Sequence, residues 1–425
     1  MNRSELFACH ECDLLQRLPQ VSPGGVLRCR RCNAELYRNR INGLAHALAF
    51  SIASMVLIVI SNLYPIVGLS INGTVVQTTL GGAVRVLYLD GMWPLAGLVF
   101  ATTILMPVVQ TASMLWILLP LSVNRIPWHT AMVFRLYHLA GPWTMTEVLI
   151  LGLLVALVKL AHIASVAVGV ALWSFGALML VLAAAAAAFE PRDLWSRVTA
   201  ERDTVDAGQA REPAPCDAVT AAQHGLALCH DCGLLARVPA HGQNLSCPRC
   251  GASLHMRTPN SLSRTWALLI AATVLYIPAN VLPVMNTSSL FGAQKDTIMS
   301  GVAYLWTSGS WLLAAIVFIA SVAVPMLKIL ALAYLTASTQ LQSKRLPEQR
   351  TRIYRAVEFV GRWSMLDIYV ITMLVALVQF KSLATIEAGP AAIAFGAVVV
   401  LTMFAAMTFD PRLIWDAAEC DHARS

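Results

Sequence analysis

Eight of the ten cysteines fall into two copies of one pattern: Cys9-x2-Cys12 with Cys29-x2-Cys32, and Cys229-x2-Cys232 with Cys247-x2-Cys250. Four long apolar stretches follow each copy, so the chain has to fold as a duplicated unit of metal knuckle plus membrane segment. From Cys29 onward a shift of 218 positions lays Asn62 on Asn280, Pro65 on Pro283, Trp93 on Trp311 and Pro107 on Pro325. After the loop near residue 125 the shift becomes 220, pairing Arg135 with Arg355, Gly141 with Gly361, Trp143 with Trp363 and Gly169 with Gly389. Matches this dense over about 190 residues are a parallel internal repeat.

Hydrophobic residues make up 57% of the chain and charged residues only 12%, against about 25% charged in soluble domains. Apolar runs lie at 44–66, 93–120, 144–164 and 168–189, and again at 264–285, 309–337, 364–385 and 390–409. Each reaches the roughly 20 residues that a helix needs to cross a hydrocarbon core of about 30 Å. The expected fold is an all-α polytopic membrane protein, a tandem repeat of two four-helix bundles, each preceded by a small ribbon. The divisions are 1–43 (ribbon), 44–195 (bundle), 196–225 (linker), 226–260 (ribbon), 261–416 (bundle) and 417–425 (tail). Gly169 and Gly389-Pro390 mark the turn from the third to the fourth helix, which predicts two short-looped helices there.

Charge sets the orientation. Of 30 Lys and Arg, 25 lie before the first helix, in the 121–143 and 338–363 loops, between the halves or in the tail. The opposite side keeps Arg85, Lys295 and Lys381, while Lys159 and Lys328 lie within apolar runs. This asymmetry predicts both termini and both cysteine modules in the cytoplasm. The net charge of +7 then marks orientation and attraction to anionic lipid, with no nucleic-acid partner expected. No cleavable signal peptide is expected either, because the chain opens on a knuckle.

A reducing cytoplasm disfavours disulfides, and knuckles separated by 16 and 14 residues suit a four-thiolate tetrahedral zinc site. Two zinc ions, one per ribbon, are expected as structural cofactors that supply folding energy to some 30 residues with little core. Four cysteines leave no open position for catalysis. A rubredoxin-like iron centre at Cys247-Pro-Arg-Cys250-Gly, and thiol redox chemistry, are the alternatives. Cys216 and Cys420 read as free thiols.

Residues 196–227, rich in Ala, Asp, Glu, Arg and Pro, read as a flexible linker. On the far side, 67–92 and 286–308 carry Gly, Thr, Ser and alternating β-branched residues, which suits a short hairpin on each bundle.

Polar groups within apolar runs are costly and normally face protein or water. Ser321 and Lys328 are seven apart on one helix face, with Pro325 between them to loosen the backbone ladder. Thr103, Pro107 and Gln110 stand at the same places in the first half. Such a polar stripe beside a break lines sites in repeat-built transporters, although Lys328 near the inner interface also fits snorkelling. Glu147 and Asp367 correspond across the repeat, as helix-start charges or as a gate for protons or headgroups. Ser364 and Thr402 fit bonding between helices. Lys159 and Lys381 fit snorkelling near helix ends, His46 and His162 lack the neighbours of a metal site, and six matched tryptophans, Trp195 and Trp415 among them, fit interfacial belts. Asn62 and Asn280 fit caps of outer helix ends.

No phosphate-cradling loop, nucleophile elbow or His-Glu-x-x-His helix is present, so neither an enzyme nor catalytic residues are expected. Asn-Leu-Tyr-Pro at 62–65, Phe-Glu-Pro-Arg at 189–192 and Phe-Asp-Pro-Arg at 409–412, set on tandem ribbon-plus-four-helix units, resemble the paraquat-inducible protein A family. The resemblance covers essentially the whole chain. It implies a Gram-negative inner-membrane protein that loads or extracts lipid and passes it to an envelope-spanning MCE-domain tunnel partner, supporting outer-membrane integrity. It also implies zinc at all eight cysteines, a phospholipid substrate, and a polar, proton-coupled path at Ser321 and Lys328. An ion-coupled secondary transporter or exporter of small amphiphiles, and an iron redox protein, are the competing readings.

Overall fold

The computed structural model describes residues 6–17, 19, 21–71, 74–161, 165–199, 220–238, 245–289, 292–309, 311–377 and 384–419. Within them the two units run through the same elements in the same order. Each opens with two small β-hairpins. In the first unit Leu6–Ala8 pairs with Leu15–Arg17 and Val26–Arg28 with Glu35–Arg38; in the second Leu226–Leu228 pairs with Leu235–Arg237 and Leu245–Ser246 with Ser253–Leu254. The knuckles sit at the hairpin turns. The residue after each second cysteine (Asp13, Asn33, Gly233 and Gly251) takes a left-handed backbone, with φ of 61°, 60°, 68° and 68°. Glycine, and to a lesser degree Asn and Asp, tolerate that region.

Seven stretches among the described residues are long and apolar enough to cross a membrane: Gly43–Leu63, Trp93–Ser122, Thr130–Leu157, Val170–Ala188, Ser261–Val281, Ala314–Gln340 and Pro390–Thr408. The second unit's counterpart of helix Thr146–Ala161 is Leu366–Leu377, and residues 378–383 lie outside the described residues. The chain is thus a polytopic, mostly helical membrane protein. Both second helices contain a π-turn, Ala101–Leu105 and Ile319–Ala323, just before Pro107 and Pro325. Proline has no N–H to give the carbonyl four residues back, so the ladder re-registers there.

The third-to-fourth connection differs from the short helix-to-helix turn read from the sequence. Ser165–Val168 and Ala384–Ala388 are strands, each pairing with its unit's hairpin to give three-stranded sheets centred on Val67–Ile71 and Met285–Ser289. The apolar character continues while the geometry changes, because a β-branched run can satisfy its backbone on a waiting hairpin. Glycine makes the join possible. A Cβ on Gly169 would lie 2.1 Å from the Pro65 carbonyl oxygen, and one on Gly389 would lie 2.1 Å from that of Pro283.

One apolar core runs through both units, from Leu149, Leu153 and Phe175 to Ile368 and Phe395. Gly152 lets its helix approach Leu366–Leu377 so closely that a Cβ would stand 2.9 Å from Tyr369 Cβ. Tyr369 is fully buried, and its hydroxyl and that of Thr102 in the other unit are hydrogen-bonded at 2.9 Å.

The ribbons dock crosswise. Phe7 and Leu36 of the first ribbon pack with Leu335, Phe409, Ile414 and Trp415 of the second unit. Leu254 and the second ribbon's cysteines pack with Leu44, Met114, Phe134, Phe189 and Trp195 of the first unit. Trp195 and Trp415 are therefore buried at 3% and 5% exposure, and the interfacial-belt reading does not hold for them: the ribbons cover them. Arg355 donates to the Glu11 carboxylate and, at 2.8 Å, to the Cys32 carbonyl. Its repeat counterpart Arg135 donates to the Gly251 carbonyl at 3.5 Å. Arg257 joins Asp13 at 2.9 Å and Asp416 at 2.6 Å.

Candidate metal centres and intramembrane polar site

Each ribbon brings four buried sulfurs together, with all Sγ atoms of a set within 4.8 Å of one another. Cys9 and Cys32 stand 3.5 Å apart, as do Cys12 and Cys29; the second ribbon has Cys229–Cys250 at 3.5 Å and Cys232–Cys247 at 3.6 Å. A disulfide needs about 2.05 Å, whereas a tetrahedron of Zn–S bonds of about 2.3 Å has edges close to these separations. The knuckle turns aim the sulfurs: Asp13, Asn33, Gly233 and Gly251 donate backbone N–H bonds of 2.8 to 3.0 Å to the carbonyl of the first cysteine in each knuckle. Crowding forces the thiols apart in acidity. Hydrogen bonding raises Cys12, chiefly through Cys29, and lowers Cys29, chiefly through Cys12. A divalent cation resolves that conflict by binding all four as thiolates, so both sets fit a metal.

The second polar constellation lies among the helices. Pro325 leaves the Ser321 carbonyl without its usual N–H partner, and Ser321 Oγ bonds back to the Val317 carbonyl at 2.6 Å. Two turns on, Lys328 is 3% exposed, and its Nζ has no hydrogen-bond partner among the described residues. The amine rests on Gly361, where a Cβ would lie 3.0 Å from Nζ. Ser364 Oγ donates to the Gly361 carbonyl at 2.7 Å and Thr402 Oγ1 to Val399 at 2.9 Å. The π-turn Ile319–Ala323 and the helix Pro390–Thr408 both pack against the turn Arg362–Met365. Three segments bearing Ser321, Ser364 and Thr402 therefore meet, with Lys328 on the same glycine that Ser364 touches.

The first unit is built differently at these places. Thr103 Oγ1 bonds Val99 at 2.7 Å, as Ser321 does in its own turn. Gln110, counterpart of Lys328, has a buried Oε1 with no partner among the described residues, while Gly141 faces open space. Glu147 is exposed in the first turn of its helix. Asp367 lies in the matching turn of the second unit, but its side chain, like that of Lys159, is outside the described set, as are His162, Lys381, Cys216 and Cys420. Asn62 and Asn280 donate to the carbonyls of Ile58 and Tyr276 at 2.8 and 2.9 Å, satisfying last-turn acceptors.

Several residues with visible roles carried little signal in the sequence. Gly361 and Arg355 showed only as matched positions of the repeat. Tyr369 and Glu11 showed no signal, since their partners Thr102 and Arg355 lie 267 and 344 residues away.

Comparison with known proteins agrees with this architecture. The family model "Paraquat-inducible protein A" matches residues 44–199 and 262–419, once per unit. The chain is 34% identical over 421 residues to the "Intermembrane transport protein PqiA" of Escherichia coli strain K12, covering 98% of this chain and 97% of that protein. It is 29% identical over 422 residues to that organism's "Lipophilic envelope-spanning tunnel protein A", covering 99% and 94%. A "Probable intermembrane transport protein" of Haemophilus influenzae is 28% identical over 413 residues, covering 97% and 96%. No solved structure gave a significant match. With the family model matched in both halves and one relative aligned nearly end to end, this chain belongs to the paraquat-inducible protein A family.

Proposed function

We propose that the chain is the inner-membrane, lipid-handling component of an intermembrane transport system, with ribbons and termini in the cytoplasm. It works as two units, 1–195 and 226–416, joined by the linker. Phospholipid is the substrate, and an envelope-spanning MCE-domain protein receives or delivers it. The relatives' names support intermembrane transport, and the scarcity of buried charge supports an apolar cargo. The observation that carries the reading is the Lys328 amine, buried with no partner among the described residues. An amine held so is costly unless an anion visits it. A lipid phosphate supplies that anion, and the Ser321, Ser364 and Thr402 hydroxyls turn from their backbone carbonyls to share its oxygens. Asp367, at the head of the adjoining helix, relays protons to Lys328 between cycles. Thr103, Gln110 and Glu147 line the weaker path of the first unit.

Zinc, when bound by Cys9, Cys12, Cys29 and Cys32 and by Cys229, Cys232, Cys247 and Cys250, closes each ribbon as a rigid lobe. In a strain lacking its own copy of this gene, the wild-type chain is expected to restore resistance to membrane-active detergents. Lys328→Ala, expressed at the same level, is expected to fail. Full resistance with Lys328→Ala would refute the site.

A further inference from the structure

The repeat is broken at a groove on the outer face of the first unit. Helices Thr146–Ala161 and Val170–Ala188 border a groove of about 330 Å³, lined by Ile150, Leu154, Leu180 and Ala183 and closed on one side by Trp363 of the other unit. Glu147 stands at its ribbon-side end. Ala183, the first of six consecutive alanines at 183–188, leaves room on that wall. A shift of 220 places Met403 and Phe404 where the first unit has Ala183 and Ala184. At the matching place on the second unit, Phe404 packs on Trp143 of the first unit, counterpart of Trp363, with ring centroids 5.3 Å apart. The space beside the tryptophan is thus occupied by Phe404 in one unit and left open at Ala183, with alanine also at 184, in the other.

The groove's chemistry identifies an occupant. Its walls are apolar and open sideways to the bilayer, where a void is filled by lipid chains. Glu147 is exposed in the first turn of its helix, with no hydrogen bond or ion pair among the described residues. A chain in the groove therefore ends beside a carboxylate that has no partner among the described residues, an acceptor that suits a primary ammonium and disfavours an anionic headgroup.

We propose that this groove binds one acyl chain of an amine-bearing phospholipid, with Glu147 taking the headgroup ammonium. The inference rests on the lipid-handling reading and assigns its substrate class. The full chain is reconstituted in phosphatidylcholine vesicles containing phosphatidylethanolamine or phosphatidylglycerol with a photoreactive acyl chain, and labelled peptides are mapped. Label is expected on 150–154 and 179–184, about two- to fivefold more with the ethanolamine lipid, the scale of an exposed ion pair. The exposed apolar face of helix Ser261–Val281 at Ile270, Val274 and Ile277, outside both sites, serves as the internal control for bilayer background and shows no headgroup preference.

Ala183→Met with Ala184→Phe imports the second unit's own residues, and is expected to reduce the groove label to the control level. Glu147→Gln is expected to keep the label and lose the headgroup preference. Groove labelling unchanged by the filling pair, or a preference that survives Glu147→Gln, would overturn the proposal. Unchanged labelling at 270–277 together with unchanged thermal unfolding shows that the variants are folded. Labelling of the purified chain requires no transport, so a failure here is distinguishable from a failure of the Lys328 resistance assay.

Discussion

A buried amine with no partner among the described residues, as at Lys328, is a stability cost kept for use. Replacing Lys328 by Met keeps the length of the side chain and removes the unpaired charge. Lys328→Met is expected to stabilise the protein by about 1–3 kcal/mol, the usual penalty for an unsatisfied buried polar group, while detergent resistance in cells is lost. Thermal unfolding of the purified protein checks the first part; a variant less stable than wild type would mean that Lys328 is paired in the folded protein. Tyr369→Phe removes the hydrogen bond to Thr102 that joins the two units, and is expected to cost about 0.5–1.5 kcal/mol in the same measurement. Lys328 could be singled out from the sequence because a charge inside an apolar run is conspicuous whatever it touches. Tyr369 and Gly361 could not, because their roles depend on which helix crosses which, and apolar patterning does not specify helix partners.

Secondary-structure elements were legible where composition and geometry agree. The hairpins at 67–78 and 285–296 followed from β-branched and turn residues, but the third strand after each long helix did not. Ser165–Val168 is as apolar as the helix before it, and only the Gly169 approach to Pro65 shows that the chain must turn back onto the sheet. The segment after the fourth helix was read only as a motif, Phe-Glu-Pro-Arg, and the structure gives its first carboxylate an environment. Burial, with Asp193 adding to it, pushes Glu190 up from its ordinary 4.5 to about 7, against the pull of Arg192 and Arg40. A carboxyl raised on folding binds its proton more tightly in the native state. Its contribution is full below pH 4.5 and is lost as pH rises through about 7. Wild type is therefore expected to lose thermal stability relative to Glu190→Gln between those limits. Parallel pH profiles for the two proteins would contradict the assignment.

At the scale of the molecule, the duplication and the eight cysteines could be read directly, whereas the crossed docking of ribbons could not. Nothing in the order of modules says that a ribbon leaves its own bundle. The matched arginines at 135 and 355 are the one trace of it, each donating to a carbonyl of the opposite unit's knuckle. Cys29→Ser is expected to lower the metal bound per chain by the share of one cysteine set and to speed hydrogen exchange in Pro347–Gly361 of the second unit, leaving Thr130–Ala140 protected. Faster exchange confined to the first unit would contradict crossed docking. Lipid handling beside Lys328 is tested most directly by placing a photoreactive phenylalanine analogue at Val324, one turn before the lysine, in cells grown on radiophosphate. Ultraviolet light is expected to attach labelled phospholipid to the protein at that position, and Lys328→Ala to abolish the attachment. No label at Val324, while the same analogue at membrane-facing Leu330 labels normally, would contradict lipid handling at this site.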